Sequence, residues 1–146
     1  MNEQAFGQPL EARLVELLRA NEAVLASLVA VANEHIVGHI LFTPVQIVSG
    51  ESVTEGAGLG PMSVLPDFQR MGIGSRLIDE GIQNIQQRGD PLIVVLGHPN
   101  YYPRFGFVPA SRYRITCQWD VPDEVFMILP LAPPRLEGVS GLARYR

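Results

Sequence analysis

Apolar and polar positions follow two different periods along this chain, and each change of period marks a predicted element. Residues 10–18 place leucines on one side of a helical repeat with charged residues opposite, which predicts an amphipathic helix. Residues 24–32 and 36–48 are apolar runs separated by a short polar turn, which predicts a hairpin of buried strands. Gly38 and Pro44, inside the second run, indicate a bulge or an edge position.

The helical period returns after a third predicted strand. Residues 49–58 are polar and contain glycine, so we expect a loop there, followed by a strand at residues 59–65. From Gly72 onward, isoleucine and leucine recur at helical spacing until residues 89–91, Gly-Asp-Pro, which end the helix. A buried strand at residues 92–96 follows. A strand–helix–strand unit of this kind implies a parallel pair of strands.

The remaining chain gives weaker signals. Residues 100–105 are aromatic-rich and predict a short helix, and further strands are expected at residues 107–108, 126–131 and 136–143. The whole order predicts a single domain over residues 1–146, of the α/β or α+β class, with a central twisted mixed sheet flanked by helices.

Composition narrows the classes of function. A chain of 146 residues with 47% apolar and 18% charged residues fits one soluble globular domain. The net charge of −4, with 11 basic residues and no lysine among them, argues against nucleic acid as a partner. The single Cys117 excludes a disulfide within the chain, and the histidines show no metal-ligand spacing, so no metal is expected. We see no membrane segment or signal peptide and expect a cytoplasmic protein.

The segment at residues 65–75 carries the clearest chemistry. Gly72 and Gly74 let the backbone approach a ligand closely, and the first N–H groups of the helix have no partner within it. Together with the helix dipole and the guanidinium of Arg70, they suit a phosphate. The segment lacks the lysine of a nucleoside triphosphate loop and the spacing of the dinucleotide fingerprint. A plain strand-to-helix turn remains open at this point.

Three segments together resemble the GNAT superfamily of N-acetyltransferases. Residues 64–74 are similar to its acetyl-CoA signature, Q/R-x-x-G-x-G/A after the end of a strand. Residues 92–98 resemble the next core strand, and residues 100–107 resemble the family's Y-x-x-x-G-F element at the distance expected. Residues 97–102 and 38–42 are similar to a bacterial group of predicted N-acetyltransferases within the superfamily. The resemblance covers roughly residues 8 to 131.

The resemblance implies a coenzyme A thioester, acetyl-CoA, lying between two parallel strands that splay apart, at residues 59–65 and 92–97. Backbone groups of Met62 and Val64 would bond the pantetheine arm, and an amide near Met62 or Ser63 would hold the thioester oxygen. The implied cofactor-binding residues are Met62, Ser63, Val64, Gln69, Arg70, Met71, Gly72, Ile73, Gly74, Ser75, Asn100 and Phe105.

The resemblance also implies catalytic residues. Tyr102 stands four residues before Gly106, the position of the family's general acid, although a packed aromatic is the alternative. His98 and Glu55 are candidates for the general base, beside a chain of water molecules, and Ser63 is a candidate at the thioester. The implied function is transfer of acetyl from acetyl-CoA to a primary amine of a small molecule or peptide, by direct attack in a ternary complex. The alternative is a non-catalytic acyl-CoA-binding or sensor module.

Two departures from the family pattern add expectations. The residues before Pro9 are too few for the strand that the family has before its first helix, so we expect either that the first edge strand is missing or that the sequence begins late. The edge of residues 24–32 would then be exposed, which favours a homodimer. Pro61 has no N–H to contribute to a sheet, so a bulge is expected where the strands splay.

Overall fold

The computed structural model describes residues 13–16, 24–69 and 72–145. Nine strands in these ranges join one mixed sheet, with one α-helix against it. The strands are β1 (Arg13–Glu16), β2 (Ala26–Ala32), β3 (His35–Ser49), β4 (Ser52–Val64), β5 (Leu92–Leu96), β6 (Val108–Pro109), β7 (Ile115–Cys117), β8 (Phe126–Pro130) and β9 (Gly141–Tyr145), and the helix is α1 (Ile73–Arg88). Short 3₁₀ turns occupy Pro66–Phe68, Tyr102–Phe105, Ala110–Tyr113, Asp123–Val125 and Pro133–Leu136.

The sheet follows the order β1-β2-β3-β4-β5-β8-β6, and β9 joins it by pairing with β3 and β7. The β4 and β5 strands are parallel, whereas β2, β3 and β4 pair antiparallel. The predicted mixed sheet, the hairpin of β2 and β3 and the parallel pair around α1 are therefore confirmed. Within these ranges one α-helix, rather than several, flanks the sheet, and that helix is neither long nor apolar enough to cross a membrane.

The first element of the chain differs from the prediction. Arg13–Glu16 is a strand that pairs antiparallel with β2, with Arg13 opposite Val31 and Glu16 opposite Leu28, so the predicted helix is wrong over these residues. Pairing with an open sheet edge satisfies backbone N–H and C=O groups and overrides a local helical period. The remaining residues of that predicted helix lie outside the described part of the chain.

This pairing also corrects the expectation of a missing edge strand. A strand does precede β2, and it covers the edge of β2 from Leu28 to Val31. The exposed edge that favoured a homodimer is therefore not present over those residues.

The predicted loop at residues 49–58 is wrong. Ser52 already lies opposite Ser49 in the β3–β4 hairpin, so only Gly50 and Glu51 form the turn. The other two glycines that suggested a loop, Gly56 and Gly58, are strand residues with close neighbours. A Cβ at Gly56 would lie 2.5 Å from Leu92 Cδ1 and one at Gly58 would lie 2.7 Å from Tyr145 Cε2, so these glycines admit side chains from other strands.

The α1 helix has the bounds that the periodicity predicted. Gly72 precedes it with φ 83° and Gly89 follows it with φ 91°, both left-handed conformations that favour glycine. Its buried stripe is Ile73, Leu77, Ile78, Gly81 and Ile85. This stripe packs on β2, β3 and β4, where a Cβ at Gly38 would meet Ile73 and Leu77 at 3.2 Å.

The two faces of the sheet carry separate apolar clusters. The cluster on the α1 side includes Leu28, Ile40, Phe42, Leu59 and Val95. The cluster on the other side includes Val45, Val94, Ile115, Phe126 and Ala143, and covers the end of the sheet where β7 and β9 lie. Because successive side chains along a strand point to opposite faces, the position of a residue in β3 indicates on which face of the sheet its side chain lies.

Candidate active site

The parallel strands β4 and β5 separate partway along their length. Their pairing runs only from Ala57 to Leu59, opposite Ile93 to Val95, while β4 continues to Val64 bonded to β3 on its other edge. The β3–β4 register shifts between Ile40 and Phe42, and Gly60 has φ 137° just before Pro61. The predicted bulge is confirmed, and a gap opens between the two strands beyond it.

Backbone groups of β4 are directed into this gap. The N–H of Leu65 donates to the carbonyl of Val37 at 2.8 Å. Because an antiparallel ladder alternates, the N–H and C=O of Ser63 also face β3, whereas those of Met62 and Val64 face the gap. The carbonyl of Val64 accepts from Gln69 Nε2 at 3.0 Å, which agrees with that direction. Of the two amides expected near the thioester, that of Met62 is therefore the one aimed at the gap.

A cavity of about 470 Å³ lies at the mouth of the gap. It is lined by Met62, Ser63, Val64, Gln69, Gly72, Gly74, Ser75 and Tyr101. All of these except Tyr101 are among the cofactor-binding residues that the resemblance implied. Arg70 and Met71, also implied, lie outside the described residues.

The N-terminus of α1 forms one wall of this cavity. The first helical bond is from Arg76 N to Gly72 O at 3.0 Å, so the amides of Ile73, Gly74 and Ser75 precede the helical ladder and have no partner within it. The Ile73 side chain is buried beneath the sheet, so only its amide can contribute. A Cβ at Gly74 would lie 3.2 Å from the Tyr101 hydroxyl, so glycine leaves space in the cavity between the start of α1 and Tyr101. Such an array of amides at a helix N-terminus suits a phosphate.

Tyr102 lies deeper, against the end of β5. Its side chain is 8% exposed, its ring makes an edge contact with Phe107 at 5.7 Å, and a Cβ at Gly97 would overlap it. Burial, with a smaller contribution from Tyr101, raises the pKa of Tyr102. The phenol therefore keeps its proton at neutral pH, as a general acid must, but it is not among the residues that line the cavity.

Tyr101, which the sequence reasoning did not select, faces the cavity instead. Its ring contacts Tyr102 and Phe105 edge-on at 5.2 and 5.4 Å. The Arg104 guanidinium lies 4.7 Å from the centre of the ring, and Arg104 Nε donates to the Tyr101 carbonyl at 3.1 Å. Two adjacent tyrosines give the same sequence signal, and only the 3₁₀ turn at Tyr102–Phe105 decides which one turns toward the cavity.

The other residues from this segment stand beside the cavity rather than in it. His98 is exposed just after β5, and its Nδ1 accepts from the N–H of Asn100 at 3.4 Å. Asn100 is exposed, and Phe105 is half-buried against Tyr101. None of the three is among the lining residues.

Glu55 does not stand where the sequence placed it. It lies within β4 opposite Gln46, and its carboxylate accepts from Gln46 Nε2 at 2.9 Å. Met62 comes seven positions later along β4, which is about 23 Å of extended chain. The position in an entry loop is therefore wrong, and of the two candidate bases His98 lies nearer the gap.

Comparison with known proteins identifies the class. The family model described as "Acetyltransferase (GNAT) domain" matches residues 1–110, so this chain belongs to that family. The uncharacterized N-acetyltransferase YhbS of Escherichia coli strain K12 is 33% identical over 143 residues, covering 97% of this chain and 84% of that protein. The uncharacterized N-acetyltransferase YjhQ of the same strain is 40% identical over 124 residues, covering 83% and 68%.

Solved structures show the same fold. YhbS of E. coli, crystallised in complex with CoA, superposes with a TM-score of 0.85 at 23% identity, covering 96% of this chain and 92% of that one. A GNAT family acetyltransferase from Brucella melitensis, in complex with acetyl-CoA, superposes with a TM-score of 0.67 at 36% identity, covering 88% and 71%. The fold, the family and the class of enzyme, an acyl-CoA-dependent N-acetyltransferase, are those that the sequence predicted.

Proposed function

We propose that this chain transfers the acetyl group of acetyl-CoA to a primary amine of a small molecule or peptide, by direct attack within a ternary complex. The observation that carries this proposal is the gap between β4 and β5, into which Met62 and Val64 direct backbone groups, with the N-terminus of α1 at its mouth. The two relatives solved with CoA and acetyl-CoA support the choice of cosubstrate.

The binding mode that we propose for acetyl-CoA follows from the two sides of the cavity, the N-terminus of α1 and the end of β4. The amides at residues 73–75 face the cavity and would take the diphosphate. The pantetheine arm would pair with Met62 and Val64 like a further strand. The Gln69 side chain donates a hydrogen bond to the Val64 carbonyl. When the pantetheine arm bonds to that carbonyl, Gln69 must either remain as a second donor or give up its hydrogen bond.

The chemistry requires an oxyanion site and a proton for the leaving sulfur. The amine attacks the thioester carbon, and the Met62 N–H, aimed into the gap, stabilises the negative charge that develops on oxygen. The Tyr102 hydroxyl then donates its proton to the departing thiolate. His98, or water beside it, accepts the proton that the amine must lose.

The acceptor is proposed as a cationic amine, since the chain carries a net charge of −4. A cytoplasmic location and a homodimer remain predictions. The covered edge of β2 removes the original reason for a dimer, so light scattering of the purified protein is the direct measurement of its assembly state.

A thiol-release assay over a broad panel of amines tests the proposal. We expect CoA release from acetyl-CoA that depends on an amine, and its loss in Tyr102→Phe. Binding of acetyl-CoA without amine-dependent release over the whole panel would favour the alternative of a binding or sensor module.

A further inference from the structure

A second cavity, of about 450 Å³, lies on the face of the sheet opposite α1. Its walls come from β7, from the chain that leads to β8, and from the start of β8 itself. Ile115 and Phe126, which line it, belong to the apolar cluster on that face. No step of the proposed reaction uses this cavity, although its size suits a small organic group.

The second cavity lies at the same end of the sheet as the gap between β4 and β5. Phe126 pairs with Leu96 at the end of β5. The pairing of β4 with β5 ends with Leu59 opposite Val95, so the next position along β4, Gly60, stands level with Leu96. Phe126 is therefore two strands away from Gly60, and neighbouring strands are about 4.8 Å apart, which puts this wall of the cavity roughly 10 Å from the gap.

Two aromatic rings connect the second cavity with β4 beside the gap. Trp119 lines the cavity, and the centre of its ring lies 5.1 Å from that of Tyr145. The Tyr145 ring packs on Gly58, two residues before Gly60. Trp119 is 49% exposed even though Tyr145 holds its ring in place, so a large aromatic surface is left open to a ligand.

The charge at the second cavity is negative. Among the described residues that line it, the charged ones are Asp120 and Asp123. Ser111 Oγ donates to Asp123 Oδ2 at 3.0 Å, which orients this carboxylate. Carboxylates beside an exposed indole ring favour a cation, because the face of the ring attracts positive charge as the carboxylates do.

The hydroxyl of Tyr145 gives an independent sign of a ligand. Its oxygen is buried and has no hydrogen-bond partner within the part of the chain that the structure describes. Burial, and secondarily Cys117, raises the pKa of Tyr145, so the hydroxyl lies near the thiol of Cys117, which lines the second cavity. A buried hydroxyl without a partner costs stability, and a polar ligand passing beside it would remove that cost.

We propose that the second cavity binds a second positive charge of the acceptor, so that the substrate is a primary amine carrying a further ammonium or guanidinium group about 10 Å away. This rests on the proposed acetyl transfer. Asp120 and Asp123 pair with the second cation, and the Trp119 ring lies against it. The reacting amine extends past Tyr145 to the gap and meets the thioester from the face opposite the diphosphate.

Fluorescence tests binding at the second cavity without turnover. Trp119 is the one tryptophan of the chain, so its emission reports on this cavity. With the protein saturated with CoA, a linear diamine should change the emission in a saturable way, and a monoamine of the same chain length at the same concentration should leave it unchanged. An equal response to the two amines would overturn the proposal.

Kinetics with amines of graded length give the second test. For linear diamines, kcat/KM should pass through a maximum as the chain lengthens and should there exceed that of the matching monoamine about tenfold or more, the usual value of a charged hydrogen bond. Short peptides with a free N-terminus and an arginine at successive positions form a second arm, and the arm with the higher kcat/KM tells whether the substrate is a small molecule or a peptide.

The outcomes of these kinetics are separable. Amine-dependent release that is equal for monoamines and for dicationic amines in both arms would overturn the second-charge site and leave acetyl transfer standing. Release with no amine at all would overturn acetyl transfer and the site together.

Substitutions at the second cavity complete the test. Asp123→Asn should raise KM for the best dicationic amine about tenfold, while kcat and the KM for monoamines stay within twofold. Trp119→Leu should raise the same KM about three- to tenfold, and Trp119→Phe, which keeps a ring, should raise it less. Glu124→Gln is the matched control, because Glu124 is exposed, adjoins Asp123 and is not among the lining residues. Equal shifts in KM for Asp123→Asn and Glu124→Gln would show an effect of net charge alone and contradict the site.

Discussion

Tyr145 supplies a prediction whose magnitude can be worked from its surroundings. Its ring packs on Gly58 and lies 5.1 Å from the Trp119 ring, while its hydroxyl is buried and has no hydrogen-bond partner among the residues that the structure describes. An unsatisfied buried hydroxyl costs about 1–3 kcal/mol, and Phe keeps the ring and its contacts. Tyr145→Phe should therefore raise the free energy of unfolding by about 1 kcal/mol, measured by urea denaturation at pH 7.

The same variant has a pH dependence of known sign. Burial, and secondarily Cys117, raises the pKa of Tyr145 above its ordinary value of 10.0. The folded protein then holds the phenolic proton at a pH where the unfolded chain has released it. The contribution of the Tyr145 hydroxyl's raised pKa to the free energy of unfolding is fully present below pH 10. Above pH 10 this contribution falls by up to about 1.4 kcal/mol per pH unit.

Denaturation of the two proteins between pH 7 and pH 11 measures both effects. We expect the advantage of Tyr145→Phe over the wild type to be constant up to pH 10 and to grow above it. Tyr102, whose pKa is also raised, is present in both proteins and cancels in the comparison. A variant less stable than the wild type at pH 7, or an advantage that does not grow above pH 10, would refute the reasoning.

Further predictions concern the two tyrosines at the site. Tyr101→Phe removes the hydroxyl next to Gly74 and should weaken acetyl-CoA binding about three- to tenfold in calorimetry; unchanged affinity would show that the hydroxyl meets no ligand atom. Tyr102→Phe should lower kcat about 100-fold with little change in affinity, whereas loss of affinity alone would give Tyr102 a binding role. Gly97→Ala drives a Cβ into the Tyr102 ring, so both kcat and the melting temperature should fall. The matched control is Gly81→Ala on α1, which drives a Cβ into the Phe42 ring on β3 and should lose stability but retain kcat; an equal loss of kcat would contradict a specific effect of Gly97 on Tyr102.

The elements that the sequence predicted well are those with a local signal. The apolar stripe of α1 repeats over the whole helix, which lies between two glycines in left-handed conformations. The β5 strand is a short apolar run that lies between the second of these glycines and a turn. Gly72 and Gly74, whose spacing predicted a phosphate site, line the cavity at the N-terminus of α1, and that signal is local too. Family resemblance then added the gap, which no periodicity could reveal.

The elements that the sequence did not predict depend on distant partners. Arg13–Glu16 is a strand because β2 offers an edge, and that pairing is invisible in its own helical period. The first half of β4 looked like a loop because Gly56 and Gly58 leave room for Leu92 and Tyr145, which come from other strands. The choice between Tyr101 and Tyr102 at the cavity likewise depends on how one 3₁₀ turn packs against Gly97.

Calorimetric titration of acetyl-CoA into the wild type and Gly74→Leu tests the central claim most directly. The claim predicts that the wild type binds acetyl-CoA at one site per chain with a dissociation constant of about 1 mM or lower. In the variant, the leucine side chain would occupy the space beside Tyr101, so binding should be lost. Gln83→Leu, on the exposed face of the same helix, should bind as the wild type does. Absence of binding in the wild type, or equal binding in a folded Gly74→Leu, would contradict the placement of the coenzyme at the α1 N-terminus.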